Sequence, residues 1–162
     1  MATLAPAHAP ASLPVPLTSL VAREQELAQV CALLQRGDVR LLTLTGPGGV
    51  GKTRLAIAAA SRVVHDFRDG VAFVNLAPLT RPTLVLDTVA GALGLRDMGT
   101  EPLHDRLLDT LRDRRMLLIL DNFESVITAG PRLLELLGAC PGITLLVTSR
   151  VRLRITGERE LP

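Results

Sequence analysis

Cysteine, histidine and lysine are scarce in this chain of 162 residues, which leaves few candidates for metal ligands or disulfides. The two cysteines, Cys31 and Cys140, form no CxxC pair, and the three histidines lie far apart in the sequence. Both cysteines stand beside apolar residues, so we expect two small buried side chains rather than a metal site or a disulfide. Lysine occurs once, as Lys52, although lysine and arginine together number 18.

Long apolar runs and a strong charge imbalance are missing as well. No segment reaches the ~18 apolar residues that identify a membrane-spanning helix. Residues 1–17 are rich in proline and alanine and lack the basic and apolar regions of a secretory signal, so we expect a stiff linker. The net charge is +2, with basic residues spread along the chain, which indicates no direct nucleic-acid site. We expect a cytoplasmic protein with no membrane contact.

Short apolar runs alternate with helix-forming segments over residues 18–162, which we expect to form one domain. The runs are RLLTLTG, GVAFVNL, MLLILD and GITLLVTSR. Each run is apolar throughout rather than at every second residue, which is typical of parallel strands covered on both faces. The pattern therefore predicts an α/β fold: a mostly parallel, three-layer sheet with helices on both faces. Ligands of such sheets bind at the carboxyl ends of the strands.

The sequence GPGGVGKT fits the phosphate-binding pattern G-x-x-x-x-G-K-[ST]. Its glycines leave backbone N–H groups open to phosphate oxygens, and the helix that follows directs its N-terminal dipole toward them. Lys52 would reach the β- and γ-phosphates, and the hydroxyl of Thr53 would bind Mg²⁺. The predicted nucleotide-binding residues here are Gly46, Pro47, Gly48, Gly49, Val50, Gly51, Lys52, Thr53 and Arg54.

The position of the single lysine supports this interpretation. Lysine carries a compact charge on a thin stem, whereas arginine ends in a broad planar fork. Only the compact group fits inside a closed loop of backbone amides. Because every other basic side chain is arginine, lysine at this one position is informative.

An acidic residue follows the third apolar run. Asp121 comes directly after MLLIL, in the form of a Walker B strand, and would hold Mg²⁺ together with Thr53, through water. Many ATPases place a second acid next, but here Asn122 follows, and an amide orients water without accepting its proton. Glu124 would either reach the site if the chain turns back or serve as a helix N-terminal acid. We therefore predict slow hydrolysis.

The fourth apolar run ends in Thr148, Ser149 and Arg150, which would lie at the same edge as the glycine loop. Arg150 would contact the γ-phosphate and report its presence, or it is an ordinary surface arginine. The end of a strand beside the loop favours the sensing role. The predicted catalytic group is Lys52, Asp121, Asn122, Glu124 and Arg150.

Together these motifs resemble the nucleotide-binding domain of STAND-class P-loop ATPases, the NB-ARC-like switch proteins that include bacterial transcriptional regulators. The matching pieces follow the family order over residues 13–162. They are LTSLVAREQEL, LLTLTGPGGVGKTRLA, DGVAFVNLAPL, LLILDNFE, ACPGITLLVTSR and LRITGERELP. The resemblance implies that ATP/ADP exchange switches the domain between closed and open states.

The resemblance also implies roles for individual residues. Val21 and Arg23 match a motif whose backbone and arginine lie near the adenine and the phosphates, although Ala22 replaces the usual glycine. The TSR sequence matches the sensor motif of the family, in support of Arg150. The chain stops at Pro162, so we expect an incomplete fifth core strand and no helical or winged-helix segments after it.

The function that we expect is an ATP/ADP-binding switch with slow, Mg²⁺-dependent hydrolysis, acting with other regulatory domains or as a homo-oligomer. The alternatives are a small-molecule P-loop kinase, a GTPase, or a remnant that does not hydrolyse nucleotide. A kinase usually has an arginine-rich lid, and a GTPase usually has an NKxD-like sequence. The sequence contains no inserted lid-like segment and no NKxD-like sequence.

Overall fold

A five-stranded parallel sheet organises the computed structural model, which describes residues 13–16 and 20–162. The spatial order of the strands is β2-β3-β4-β1-β5. They comprise β1 Leu41–Thr45, β2 Val71–Asn75, β3 Met116–Asp121, β4 Ile143–Ser149 and β5 Glu158–Leu161. All four strand pairings are parallel, which confirms the predicted sheet. The linker predicted for residues 1–17 lies outside the described residues, except for residues 13–16.

Within the described residues, five α-helices connect or precede these strands. They are α1 Glu24–Leu34, α2 Lys52–Val63, α3 Val85–Ala92, α4 Leu103–Leu111 and α5 Gly130–Ala139. Short 3₁₀ segments at Val64–Asp66, Pro82–Leu84 and Phe123–Ala129 link them to their neighbours. No helix in the described ranges combines the length and apolar character that crossing a membrane requires.

Residues of the central strands point alternately to the two faces of the sheet and fill two separate cores. In β3, Leu117 and Ile119 pack with α1 and α2, whereas Leu118 and Leu120 pack with α3, α4 and α5. All four side chains are fully buried, and each contributes about 1.5–3 kcal/mol by burial. A strand covered on both faces must be apolar throughout, which explains the uninterrupted runs and confirms the three-layer arrangement.

The fifth strand has 4 residues and is shorter than each of the other four strands. β5 pairs with β1 from Leu41 opposite Glu158 to Leu44 opposite Leu161. In the described sheet, β5 is an edge strand next to β1, the strand that leads into the glycine loop.

The two cysteines are free thiols: Cys140 is buried, as expected, whereas Cys31 in α1 is only partly buried. Burial raises the pKa of both Cys31 and Cys140 above the ordinary value of a thiol. Both side chains therefore stay neutral near pH 7 and act as small apolar groups.

Candidate functional site

The glycine loop joins β1 to α2, which begins at Lys52. Gly46, Gly49 and Gly51 have φ angles of 149°, 79° and 87°. Residues with a side chain rarely adopt these values, whereas glycine adopts them without strain. The loop therefore has the left-handed turns that let its backbone curl around a small anion at the N-terminus of α2.

Two glycines also make room for arginine side chains. A Cβ atom at Gly48 would lie 3.2 Å from Nη2 of Arg150, and one at Gly51 would lie 3.1 Å from Nη1 of Arg23. Guanidinium groups thus border the glycine surface at two points. The sequence predicts that these glycines leave room for phosphate oxygens. In the structure, two of them lie beside the guanidinium groups of Arg150 and Arg23.

The side chain of Lys52 lies within the curve of the loop. Its Nζ donates hydrogen bonds to the carbonyl oxygens of Gly46, at 2.7 Å, and Pro47, at 2.8 Å. These bonds use two of the three donors of the ammonium group. A compact ammonium fits this position, and a phosphate oxygen placed in the loop would find the charge beside it.

The two residues predicted to bind Mg²⁺ are in direct contact. Oγ1 of Thr53 donates a hydrogen bond to Oδ1 of Asp121 at 2.7 Å, which joins the first turn of α2 to the end of β3. Oγ1 of Thr148 donates to the same oxygen at 2.6 Å, and Asp121 is only 4% exposed. Hydroxyl and carboxylate oxygens are the hard ligands that Mg²⁺ prefers, so the donor set fits this ion.

Asn122 turns the chain sharply after β3. Its φ of 61° and ψ of 47° lie in the left-handed region, which asparagine tolerates better than most residues. Its backbone N–H donates to Oγ1 of Thr148 at 3.0 Å, and its Nδ2 donates to Oδ2 of Asp121 at 3.0 Å. The amide therefore helps to hold the buried carboxylate.

Glu124 points toward Arg150. Its Oε1 lies 3.7 Å from Nε of Arg150, and its other oxygen is buried without a hydrogen-bond partner among the described residues. The side chain of Glu124 is 24% exposed, whereas that of Arg150 is 66% exposed. Such a pair contributes at most about 1 kcal/mol, so Arg150 is held only weakly. Glu124 also lies in the first turn of a 3₁₀ segment, in agreement with the alternative interpretation.

Arg23 connects α1 to the far end of the loop. Nη1 donates to the carbonyl oxygen of Val50 at 2.5 Å, and Nε donates to Oε2 of Glu26 at 2.8 Å. The structure thus brings Arg23 to the glycine loop, and its contact with a nucleotide stays a prediction. Val21 is 78% exposed, and Ala22 has a φ of 61°, in the left-handed region that glycine adopts most readily.

A pocket of about 460 Å³ borders the loop on the side of β5. Its lining includes the charged residues Arg23, Glu26, Arg150 and Glu160 and the apolar residues Val50 and Val151. Arg54 lies outside this lining, exposed in the first turn of α2. A concave, partly apolar surface with a few polar groups is typical of small-molecule sites.

One buried carboxylate, at the beginning of β5, was missed by sequence reasoning. The side chain of Glu158 is 0% exposed and accepts hydrogen bonds from the backbone N–H groups of Leu153, at 2.9 Å, and Arg154, at 2.8 Å. Burial by itself raises the pKa of Glu158, but these hydrogen bonds and Arg152 bring the pKa below its ordinary value. No local pattern marks this residue, because its role depends on how the chain folds back from β4.

The sheet order and the glycine loop between β1 and α2 define the fold of a P-loop NTPase. A family model described as an AAA domain matches residues 35–162, and the chain belongs to this family. The Aeropyrum pernix ORC2 protein has the same fold, with a TM-score of 0.59 and 22% sequence identity over 83% of this chain and 43% of that one.

The chain is also similar to parts of longer bacterial proteins. It is 49% identical over 120 residues to Rv0890c of Mycobacterium tuberculosis, which is named as an HTH-type transcriptional regulator. It is 36% identical over 158 residues to the regulatory protein AfsR of Streptomyces griseus. These matches cover 74% and 93% of this chain but only 13% and 16% of the relatives.

Proposed function

We propose that this domain binds adenine nucleotide together with Mg²⁺ and acts as an ATP/ADP switch that hydrolyses ATP slowly. The observation that carries the proposal is the 2.7 Å contact between Thr53 and Asp121. Two oxygen ligands from separate elements meet where the glycine loop enters α2. A metal ion held there by both residues would lie beside phosphates bound in the loop.

Each residue of the site has a distinct task in this proposal. The backbone N–H groups of residues 46–51, apart from Pro47, and the ammonium of Lys52 bind the phosphate oxygens. When nucleotide binds, the hydrogen bonds of Lys52 to the carbonyl oxygens of Gly46 and Pro47 are replaced by hydrogen bonds to phosphate oxygens. Mg²⁺, when bound, neutralises charge on the phosphates. Arg150 contacts the terminal phosphate and so distinguishes ATP from ADP.

Slow hydrolysis follows from the groups available to a water molecule. The amide of Asn122 orients water but accepts no proton, and its Nδ2 is already bonded to Asp121. The carboxylate of Glu124 is turned toward the guanidinium of Arg150. A switch benefits from this arrangement, because the ATP-bound state lasts longer when the chemical step is slow.

The comparisons support a regulatory setting for this activity. The Aeropyrum pernix protein of the same fold was solved in complexes with ADPNP and ADP, and two relatives are named as regulators. We extend the proposal to the STAND or NB-ARC class, in which the domain works in the cytoplasm beside other regulatory domains or in a homo-oligomer. The same comparisons do not favour a small-molecule kinase.

Equilibrium titration of the protein with ADP, ATP and GDP, with and without Mg²⁺, tests the proposal. Lys52→Ala removes charge-assisted hydrogen bonds of about 1.5–3 kcal/mol, so ADP and ATP affinity should fall ~10- to 100-fold. Arg62→Ala is the matched control, because it removes a positive charge from the exposed face of the same helix. Equal affinity of the Lys52 variant and the wild-type protein would refute the site.

A further inference from the structure

A carboxylate buried at the start of β5 has no task in the nucleotide site described so far. Oε1 of Glu158 accepts the N–H of Leu153, and Oε2 accepts the N–H of Arg154 and, at 3.3 Å, Nε of Arg152. Its side chain is completely removed from solvent. A buried carboxylate without donors is strongly unfavourable, so these three donors must stay in place around it.

The three donors belong to one loop, residues 150–157, which connects β4 to β5. Arg154 takes a left-handed φ of 59°, a conformation that costs a residue with a side chain about 1–2 kcal/mol. The hydrogen bond from its N–H to Glu158 offsets this cost. Leu153 is buried in the core beside α5, and Ile155 lies so close to Gly130 that a Cβ atom there would be 2.8 Å away. The path of the loop is therefore fixed.

The fixed loop begins with Arg150. The guanidinium of Arg150 lies against Gly48 of the glycine loop, and its only recorded ion pair, in the described part of the chain, is the loose one with Glu124. A group held so weakly by its own contacts depends on its backbone for its position. The path of that backbone is fixed three and four residues later, where the N–H groups of Leu153 and Arg154 donate hydrogen bonds to Glu158.

The same cluster also reaches the start of the glycine loop. Nε of Arg152 lies 3.8 Å from Oε2 of Glu160 as well as 3.3 Å from Glu158. Oε1 of Glu160 accepts a hydrogen bond of 2.8 Å from Oγ1 of Thr45, the residue before Gly46. β5 thus connects the loop that carries Arg150 with the strand that leads into the phosphate site.

We propose that Glu158 is a positioning residue: it holds the β4–β5 loop so that Arg150 lies over the glycine loop and discriminates ATP from ADP. This inference rests on the proposed function, because it assigns the discrimination to Arg150. Replacing Glu158 by glutamine puts an N–H₂ group against backbone or arginine donors, whichever way the amide is turned. The loop must then move, and Arg150 moves with it.

The test is a double-mutant cycle on the affinity for ADP and for a non-hydrolysable ATP analogue, with Mg²⁺ present. The proteins are wild type, Glu158→Gln, Arg150→Ala and the double variant, with Glu135→Gln on the exposed surface of α5 as the matched control. We expect Glu158→Gln and Arg150→Ala each to lower the preference for the triphosphate ~5- to 10-fold, while ADP affinity stays within ~2-fold. The double variant should be no worse than Arg150→Ala alone.

Three results would overturn the inference while leaving nucleotide binding intact: an unchanged triphosphate preference in Glu158→Gln, equal losses of ADP and ATP affinity, or additive effects in the double variant. Equal affinity of the wild-type protein for both nucleotides would overturn it too. Absence of any nucleotide binding by the wild-type protein would instead refute the proposed function. If Glu158→Gln does not fold, Glu158→Asp carries the same test, because it keeps the charge and shortens the side chain.

Discussion

Arginines at the two ends of the sheet are held in opposite ways. At the amino end, Arg40 donates to the carbonyl oxygens of Leu137, Cys140 and Ile143 at distances of 2.6 to 3.2 Å. These bonds join the beginning of β1 to the C-terminus of α5, whose last carbonyl groups have no partner within the helix. At the carboxyl end, Arg150 is mostly exposed, and its single ion pair among the described residues is a loose one of 3.7 Å with Glu124.

The difference separates a structural arginine from one available to a ligand. The donors of Arg40 are already bonded to the protein, whereas those of Arg150 face a pocket beside a loop built for anions. A cleft of about 300 Å³ also exists at the amino end, but there Arg36 is paired with Asp38 at 2.7 Å and Arg40 is engaged as well. Both ends have a cavity, and this contrast supports our proposal that the carboxyl end is the nucleotide-binding edge.

The largest effect that we expect from this contrast is on stability. Arg40→Ala removes a charged donor from three carbonyl oxygens, of which that of Cys140 keeps another donor, the N–H of Ile143 at 3.1 Å. The free energy of unfolding should therefore fall by about 2–4 kcal/mol, since a hydrogen bond to a charged group contributes about 1.5–3 kcal/mol. Chemical denaturation measures this change, with Arg150→Ala as the control that should alter stability by less than about 1 kcal/mol. Similar losses in both variants would remove the distinction between the two arginines.

The next effect concerns the metal. Asp121→Ala should weaken ATP binding ~10-fold in the presence of Mg²⁺ and much less when EDTA removes the ion, because the carboxylate acts through the metal. Titrations in both conditions give the ratio. Thr148→Val is the control, since it removes a hydrogen bond to Asp121 but no predicted metal ligand. Equal losses with and without Mg²⁺ in the Asp121 variant would contradict its assignment.

A smaller effect is expected on the rate of hydrolysis. Asn122→Asp places a proton acceptor where the wild-type protein has an amide, and general-base catalysis typically contributes ~100-fold or more when the geometry is suitable. The left-handed backbone at position 122 and the neighbouring charge of Asp121 reduce this gain, so we expect an increase of ~3- to 10-fold in single-turnover phosphate release. A slower variant would show that the amide itself is required.

The smallest effect is a dependence of stability on pH. Because the pKa of Glu158 in the folded protein lies below its unfolded value, its stabilisation is fully present above the unfolded pKa and is lost as the pH falls through the folded pKa. Wild-type protein should therefore lose more stability on acidification than Glu158→Gln does. Thermal unfolding across the acidic range compares them, and parallel curves would mean that the carboxylate is not stabilised by its donors.

Local patterns were sufficient to predict the glycine loop, Lys52, Thr53 and Asp121. A loop between a buried strand and a helix fixes its own geometry, and parallel strands bring their carboxyl ends to one edge. The contact of Thr53 with Asp121, 68 residues apart, follows from that topology. The order of the strands could be expected only in outline, and no uninterrupted apolar run marks the fifth strand.

The remaining contacts depend on distant parts of the chain that carry no local signal. Arg40 meets its acceptors 97 to 103 residues away, and nothing in the sequence around it indicates a helix cap. The hydrogen bonds of Glu158 come from the β4–β5 loop, and the path of that loop depends on the packing of Ile155 against Gly130. The sequence alone did not determine where the side chain of Glu124 points, because this depends on the turn of the backbone at Asn122.

The most direct measurement of the central claim is the nucleotide that the protein itself carries. The chain is purified without added nucleotide and denatured, and the released material is separated by anion-exchange chromatography beside AMP, ADP, ATP and GDP standards. The account predicts stoichiometric ADP, or ATP if hydrolysis stalls at Asn122. A protein that releases no nucleotide and also fails to bind added ADP with Mg²⁺ would contradict it.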